Sequence, residues 1–427
     1  MLKENFNKLF NSFTKIVEKL SEVKYFLALR DGMLGILPII IVGSFFLLLG
    51  SLDKFMSSLS KFPNISAILS QFMEFYRLTM GCISLFLAFT TGYYMGKYSK
   101  ISQISNGVLT LASFLLGCKL SFGVIDGKNT IVLNIKQLGA DGLFMAILLS
   151  FIVSEAHLHI YNLSQKIFKK NTLSATYQQK GIPQTVTQAL NSLLPYFTIL
   201  PLIWLIAKFI NIQSFLIEFF KPLEKLGDSI GLVIIVNIVL HLMNFAGIHG
   251  ISIINAVLFA MWQKFLLANA EAVAHNTNLP FVTAYPFFQW FIWIGGAGNT
   301  LALTFILLIS RVKHLRNIGK VAIIPSLFNI NEPVLFGLPI VANPVFLIPF
   351  ILSPTICGII TYLAICTGLV GRPWIEAPWI FPFVLGAYLS TADVKAIILA
   401  LLNFIISGII YYPFLKIYEK QLSDNSL

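Results

Sequence analysis

From Val321 to Gly371 the chain carries a single charged side chain, Glu332, set in Asn331-Glu332-Pro333-Val334-Leu335-Phe336-Gly337-Leu338-Pro339-Ile340. An ionisable group at bilayer depth costs roughly 2.5 to 3.5 kcal/mol or more, so a lone carboxylate in such a run is a functional-site candidate. Prolines at 325, 333, 339, 344, 349 and 354 argue against one unbroken helix, because each lacks an amide hydrogen and crowds the preceding turn. Broken backbone is tolerated in a membrane only where protein or a water-filled cavity surrounds it. The pattern points to a re-entrant hairpin that places one carboxylate inside a transport path.

The rest of the sequence agrees with a membrane setting. Only 11% of the 427 residues are charged and 57% are hydrophobic, far from the roughly 25% charge of soluble domains. The expected fold is therefore an all-α polytopic membrane protein. A net charge of +12 would suit nucleic acid, but the basic residues lie between apolar spans and are better explained by membrane topology. No nucleic-acid partner is expected. Cys82, Cys118, Cys357 and Cys366 are scattered without a paired motif, so neither a disulfide framework nor a metal site is indicated, and no cofactor is called for.

About ten spans are readable at roughly twenty residues each: 25–50, 79–97, 101–121, 140–163, 187–210, 229–247, 251–270, 297–312, 344–369 and 394–416. With this count, Lys97 and Lys100, then Lys166, Lys169, Lys170 and Lys180, then Arg311, Lys313, Arg316 and Lys320, then Lys416 and Lys420 all fall on one side. That side is the cytoplasm by the positive-inside rule, and both termini are expected there. Two pieces of the second half do not fit as spans: 285–298, with Pro286 and Gly295-Gly296-Ala297-Gly298, and the Glu332 region. Both read as re-entrant hairpins. Segments 164–186 and 211–228 mix charge with apolar residues and read as linking or interfacial helices.

Residues 1–24 place Phe6, Leu9, Phe10, Phe13, Ile16, Val17 and Leu20 at helical spacing among Lys3, Lys8, Lys15 and Lys19. This is an amphipathic interfacial helix on the membrane or, in the blander reading, a helix for a soluble partner. It lacks the short apolar core and small-residue cleavage site of a signal peptide. The domains expected are thus 1–24, an amino-terminal transmembrane half over 25–228, a carboxy-terminal half over 229–420, and a cytoplasmic tail over 421–427.

His249, in Phe245-Ala246-Gly247-Ile248-His249-Gly250, is a partner type suited to Glu332. A carboxylate and an imidazole together supply the acceptor and donor capacity that a sugar hydroxyl needs, and the adjacent glycines let a ligand approach. A lone histidine between glycines is also a common structural residue, and spacing alone does not bring the two together. Asn331 suits a helix cap and Pro333 a helix start, so the motif can open a half-helix, with Glu332 either serving the solute or helping to cap. Asn299 and Thr300 either line a cavity or cap a helix. Asp141, beside Gly139 in Leu138-Gly139-Ala140-Asp141, starts a helix or contacts the solute. Arg30-Asp31 reads as a structural pair. Trp374 and Trp379, which flank Glu376, and Trp290 and Trp293 are open between a membrane-interface belt and a sugar-stacking role.

These motifs resemble the membrane-embedded IIC component of the bacterial sugar phosphotransferase system, in its lactose, cellobiose and diacetylchitobiose family. The resemblance spans residues 20–420 and rests on Phe328-Asn329-Ile330 running into Asn331-Glu332-Pro333, on Gly337-Leu338-Pro339-Ile340-Val341 with Asn343-Pro344, and on Gly247-Ile248-His249-Gly250. Gly295-Gly296-Ala297-Gly298, Arg30-Asp31-Gly32 before Pro38 and Gly43-Ser44, and Tyr411-Tyr412-Pro413-Phe414 follow the same order. It implies group translocation across the bacterial inner membrane: a β-linked disaccharide binds from outside, the binding domain shifts, and the sugar's 6-hydroxyl takes a phosphoryl group from a phosphocysteine on a separate IIB protein, itself charged by IIA. It implies that Glu332 activates that hydroxyl beside His249. Asn331, Asn244, Asn299, Trp379, Gly139 and Asp141 are the candidate sugar contacts that this sequence offers. It further implies a homodimer joined through the first half. Asn244 stands where the family usually has a tryptophan, and Ile380-Phe381-Pro382-Phe383 replaces a stretch often rich in Thr and Pro, which bears on sugar choice. Diacetylchitobiose or cellobiose is expected ahead of lactose. The rivals are an ion-coupled symporter cycling a proton on Glu332 and a sugar-sensing receptor.

Overall fold

The structure is a computed structural model that describes residues 23–52, 63–118, 121–125, 128–132, 135–168, 192–245, 247, 250–338, 340 and 343–424. The amphipathic segment expected at 1–24 lies almost wholly outside these residues, as does His249. The chain divides into two compact units, one of Leu20–Gly43 with Glu74–Pro222 and one of Ser44–Met73 with Leu223–Leu427.

In the first of these, helices Ile83–Tyr98, Gln103–Gly117, Leu143–Phe168 and Leu193–Phe209 close around Leu109, Phe114, Met145, Leu149, Ile199 and Ile203. The backbones approach closely because glycine replaces bulk at the contact. A β-carbon on Gly92 would stand 1.9 Å from Thr110 Oγ1, the arrangement of small residues that lets membrane helices pack. Ser102 starts the second helix by accepting from the Ser105 amide at 3.4 Å, and Lys24 pairs with Glu155 at 2.6 Å. Arg30 and Asp31 are joined at 2.8 Å, with Tyr98 donating to the same carboxylate.

One element departs from the all-α expectation. Ser121–Ile125 and Lys128–Val132 form an antiparallel hairpin in which Ile125 opposes Lys128 and Ser121 opposes Val132. Its cause is visible in the sequence, since Asp126-Gly127 is a two-residue hairpin signal flanked by β-branched residues. The span expected over 101–121 accordingly ends as a helix at Gly117.

The second unit contains helices Ile230–Phe245, Gly250–Ala274, Tyr285–Phe291, Leu301–Leu308, Lys313–Leu327, Glu332–Gly337, Pro344–Cys366, Phe383–Thr391 and Val394–Asp424. The span expected at 297–312 holds a helix of only eight residues, about 12 Å long at 1.5 Å per residue, so it does not cross a core of roughly 30 Å by itself. It starts late because residues 295–299 are held in a turn with Gly295, Gly296, Gly298 and Asn299 at positive φ. By length and composition, five helices among the described residues can cross a membrane: Lys24–Gly50, Ile65–Tyr98, Ala140–Ser164, Pro344–Cys366 and Val394–Leu422. Leu193–Phe209 with Ile212–Gly227, bent by 75°, makes a sixth if counted as one span.

Candidate functional site

The turn Gly295–Asn299 is held by hydrogen bonds from several elements of the second unit. Gly298 sits at φ +84°, and a β-carbon there would meet the Phe350 ring at 2.1 Å, so both conformation and space demand glycine. Its amide donates to His241 Nε2 at 2.7 Å and its carbonyl accepts from the Tyr411 hydroxyl at 2.7 Å. Because an amide can only donate, His241 Nε2 is the unprotonated nitrogen, and Nδ1 carries the proton toward the Asn237 carbonyl 2.5 Å away. The Asn299 carbonyl accepts from Ser407 Oγ at 2.8 Å, and Asn299 Nδ2 donates to Cys357 Sγ at 3.2 Å. Asn299 is fully buried and is a turn residue at positive φ, although its Oδ1 has no partner among the described residues.

Two asparagines tie this turn to the Glu332 segment. Asn331 Nδ2 donates to the Ala297 carbonyl at 2.7 Å and to Thr300 Oγ1 at 3.2 Å. Asn331 occupies the cap position of Glu332–Gly337 but makes no side-chain cap bond, a correction to the capping role expected from sequence: its amide is committed to the neighbouring turn. Asn329, at φ +62°, accepts from the Gly295 amide at 3.1 Å and donates to the carbonyls of Trp379 at 2.7 Å and Phe381 at 3.0 Å. One side chain therefore joins the glycine turn, the stem before Glu332 and the segment 379–381.

Glu332 is the first residue of its short helix, with Pro333 second, and its side chain is exposed. Among the described residues no hydrogen bond or ion pair holds its carboxylate. A free carboxylate on an anchored backbone is suited to accept a hydrogen bond from an incoming hydroxyl and to take its proton. Trp379, about half exposed, is brought to the same place through its carbonyl bond to Asn329.

The other candidates fall differently. Asn244 Oδ1 accepts from the Gly250 amide at 2.8 Å, while its Nδ2 is buried without a partner among the described residues. Gly139 and Asp141 belong to the other unit, where the Gly139 carbonyl accepts from Ser84 Oγ at 2.6 Å and Asp141 lies in the turn just before Leu143–Phe168. Trp374 and Trp293 are buried, donating to Thr391 O at 3.1 Å and Asn237 Oδ1 at 3.2 Å, and Trp290 is fully buried against Gly386. These three are core residues in this conformation. Among the described residues no group of three His, Cys, Asp or Glu side chains is placed to hold a metal ion.

Sequence reasoning passed over His241 and Ser407, named Cys357 only among the cysteines without a paired motif, and mentioned Glu376 only for its tryptophan neighbours. A histidine inside an apolar helix was the available signal for His241. Glu376 lies in the loop between two spanning helices, 4% exposed, and accepts from Gln263 Nε2 at 3.1 Å while its amide donates to Ser44 Oγ at 3.2 Å. Burial pushes its carboxyl up to about 8 against a smaller opposite effect of the Gln263 bond.

Long apolar helices alternating along the chain with short, broken helices and glycine turns are the build of a polytopic membrane transporter. The chain belongs to the phosphotransferase system EIIC family, whose model matches residues 30–354. It is 32% identical to the cellobiose-specific EIIC component of Geobacillus stearothermophilus over 95% of this chain and 92% of that protein. It is 31% identical to the lichenan permease IIC component of Bacillus subtilis over 95% and 92%. The crystal structure of ChbC, the IIC component of the N,N'-diacetylchitobiose-specific phosphotransferase system, superposes with a TM-score of 0.82 at 30% identity over 96% of this chain and 98% of that one. The chain is thus the membrane permease component of a sugar phosphotransferase system, a family whose EIIC components work with IIB and IIA proteins.

Proposed function

We propose that the chain carries a β-linked disaccharide, N,N'-diacetylchitobiose or cellobiose, and presents its 6-hydroxyl for phosphorylation through Glu332. The observation that carries this reading is the exposed Glu332 carboxylate, unpartnered among the described residues, on a segment fixed by Asn329 and Asn331. The hydroxyl oxygen attacks the phosphorus of the IIB phosphocysteine, the S–P bond breaks as the O–P bond forms, the thiolate leaves, and the hydroxyl proton passes to Glu332. A base so placed contributes roughly 10² to 10⁴ in rate. His249, next to the Gly250 amide held by Asn244, supplies the neighbouring hydrogen bond, and Trp379 offers a flat face to the sugar ring. The names of the cellobiose and diacetylchitobiose relatives support the choice of sugars.

In this reading the chain crosses the membrane about ten times with both termini in the cytoplasm, and 285–298 and the Glu332 region are re-entrant hairpins. Residues 229–420 carry the sugar, 25–228 join two copies in a homodimer, and 1–24 lie on the membrane surface. Proteoliposomes containing the chain, a phosphorylated IIB from the same organism and radiolabelled diacetylchitobiose, cellobiose and lactose test it. The expected result is sugar phosphate that disappears when IIB is omitted, with lactose the poorest substrate. Efficient lactose phosphorylation with neither of the other two would overturn the substrate assignment.

A further inference from the structure

The second unit holds a polar cluster that the chemistry at Glu332 does not use. On Gly250–Ala274, Asn255, Phe259, Trp262 and Gln263 follow helical spacing and share one side. On Tyr285–Phe291, Tyr285 and Gln289 stand one turn apart. The two sides meet: the Phe259 and Tyr285 rings are 4.7 Å apart, and the Trp262 and Phe288 rings 4.3 Å apart. Gln263 reaches from the same helix to Glu376 at 3.1 Å.

Inside this packing several hydrogen-bonding atoms have no partner among the described residues: Gln263 Oε1, Asn255 Oδ1, Trp262 Nε1 and both Nε2 and Oε1 of Gln289, which is only 7% exposed. Buried polar groups are almost always satisfied, and a primary amide open at both ends is costly unless something arrives to fill it. The groups on offer are amides, an indole N–H and a carboxyl, with no cation facing them among the described residues. Lys264, the nearest base in sequence, is committed to Glu224. Such a set matches a neutral, hydroxyl-rich solute and neither an anion nor a cation.

We infer that Gln289, Gln263 and Glu376, with Asn255 and Trp262, form a second polar subsite that takes hydroxyls of the sugar ring not being phosphorylated. This rests on the disaccharide reading above. Two chain segments connect the subsite to Glu332. The segment that carries Glu376 continues to Trp379, which Asn329 ties to the Glu332 stem. The segment that carries Gln289 continues into the glycine turn, which Asn331 ties to the same stem. Glu376, protonated at neutral pH, can donate as well as accept.

The test measures IIB-dependent phosphorylation by the full-length chain in proteoliposomes, comparing wild type with Gln289→Leu and Glu376→Gln, with diacetylchitobiose and cellobiose. A second ring seated here predicts that Gln289→Leu raises the disaccharide KM by about tenfold or more while kcat falls less than about twofold. Unchanged KM in both variants would overturn the inference while leaving the role of Glu332 intact, because the cluster would then hold only water. If Gln289→Leu fails to elute as a folded species, Glu376→Gln, of equal size, decides by the same KM criterion. Wild-type protein that phosphorylates neither sugar would instead overturn the disaccharide reading, and this subsite with it.

Discussion

Two buried amides, one in each unit, end differently. Asn106 donates to Gly92 O at 2.6 Å and Ser154 Oγ at 2.7 Å and is joined through Oδ1 to His157 Nδ1 at 2.9 Å. Gln289 is buried to a similar degree and has no partner at either end among the described residues. The first cluster is closed and holds helices together. On the reading proposed above, the second, like the exposed Glu332, keeps its hydrogen-bonding capacity for the sugar. Burial is alike in the two amides, and pairing is what differs between them.

The largest effect expected from this contrast is at Glu332. Glu332→Gln keeps shape and removes the base, and phosphorylation in the IIB-coupled assay is expected to drop by about 10² or more with an unchanged chromatographic profile. Turnover at the wild-type rate would remove Glu332 from the mechanism. Asn106→Ala opens the closed cluster and is expected to cost about 3 kcal/mol, read as a lower thermal midpoint in detergent, with sugar KM unaffected. A midpoint equal to wild type would break the comparison from the structural side. Trp379→Ala is expected to raise disaccharide KM by about tenfold through loss of a flat apolar face, with melting little changed.

The smallest effect is a pH slope from Glu376. Its folded value of about 8 lies above the ordinary 4.5, so the folded state binds more protons than the unfolded state between these limits. Its stabilising contribution is present in full below 4.5 and is lost as pH rises through about 8. The groups packed around it are Gln263, Ser44 and the titratable Tyr285. Melting temperatures from pH 5 to 8 should decline more steeply in wild type than in Glu376→Gln, and parallel curves would show that this carboxyl does not couple to folding.

Much of the helical framework was legible in sequence, because hydropathy and Pro or Gly punctuation act locally. Helices begin at Lys24, Gly250, Pro344 and Val394, at or within one residue of the span starts read from the sequence. The isolation of Glu332 was equally plain. What escaped was closure between distant segments. Asn329 bonds to residues 34, 50 and 52 positions away, and His241 to one 57 away, which no periodicity encodes. The Asn331 cap was misread for the same reason: the local rule was sound, and a distant carbonyl outcompeted it. The hairpin at 121–132 was a different kind of miss, since its Asp-Gly signal was present but overshadowed by the apolar run before it.

That hairpin gives the chain a property useful at the bench. Its strands are held in fixed register from Ser121 opposite Val132 to Ile125 opposite Lys128, so both ends of any segment grafted between Ile125 and Lys128 would leave from neighbouring points. Grafts with closely spaced ends are the ones host proteins tolerate best. A small rigid domain inserted there would act as a fiducial for imaging a protein otherwise hidden in detergent, leaving every residue assigned to sugar or phosphoryl chemistry in its native sequence.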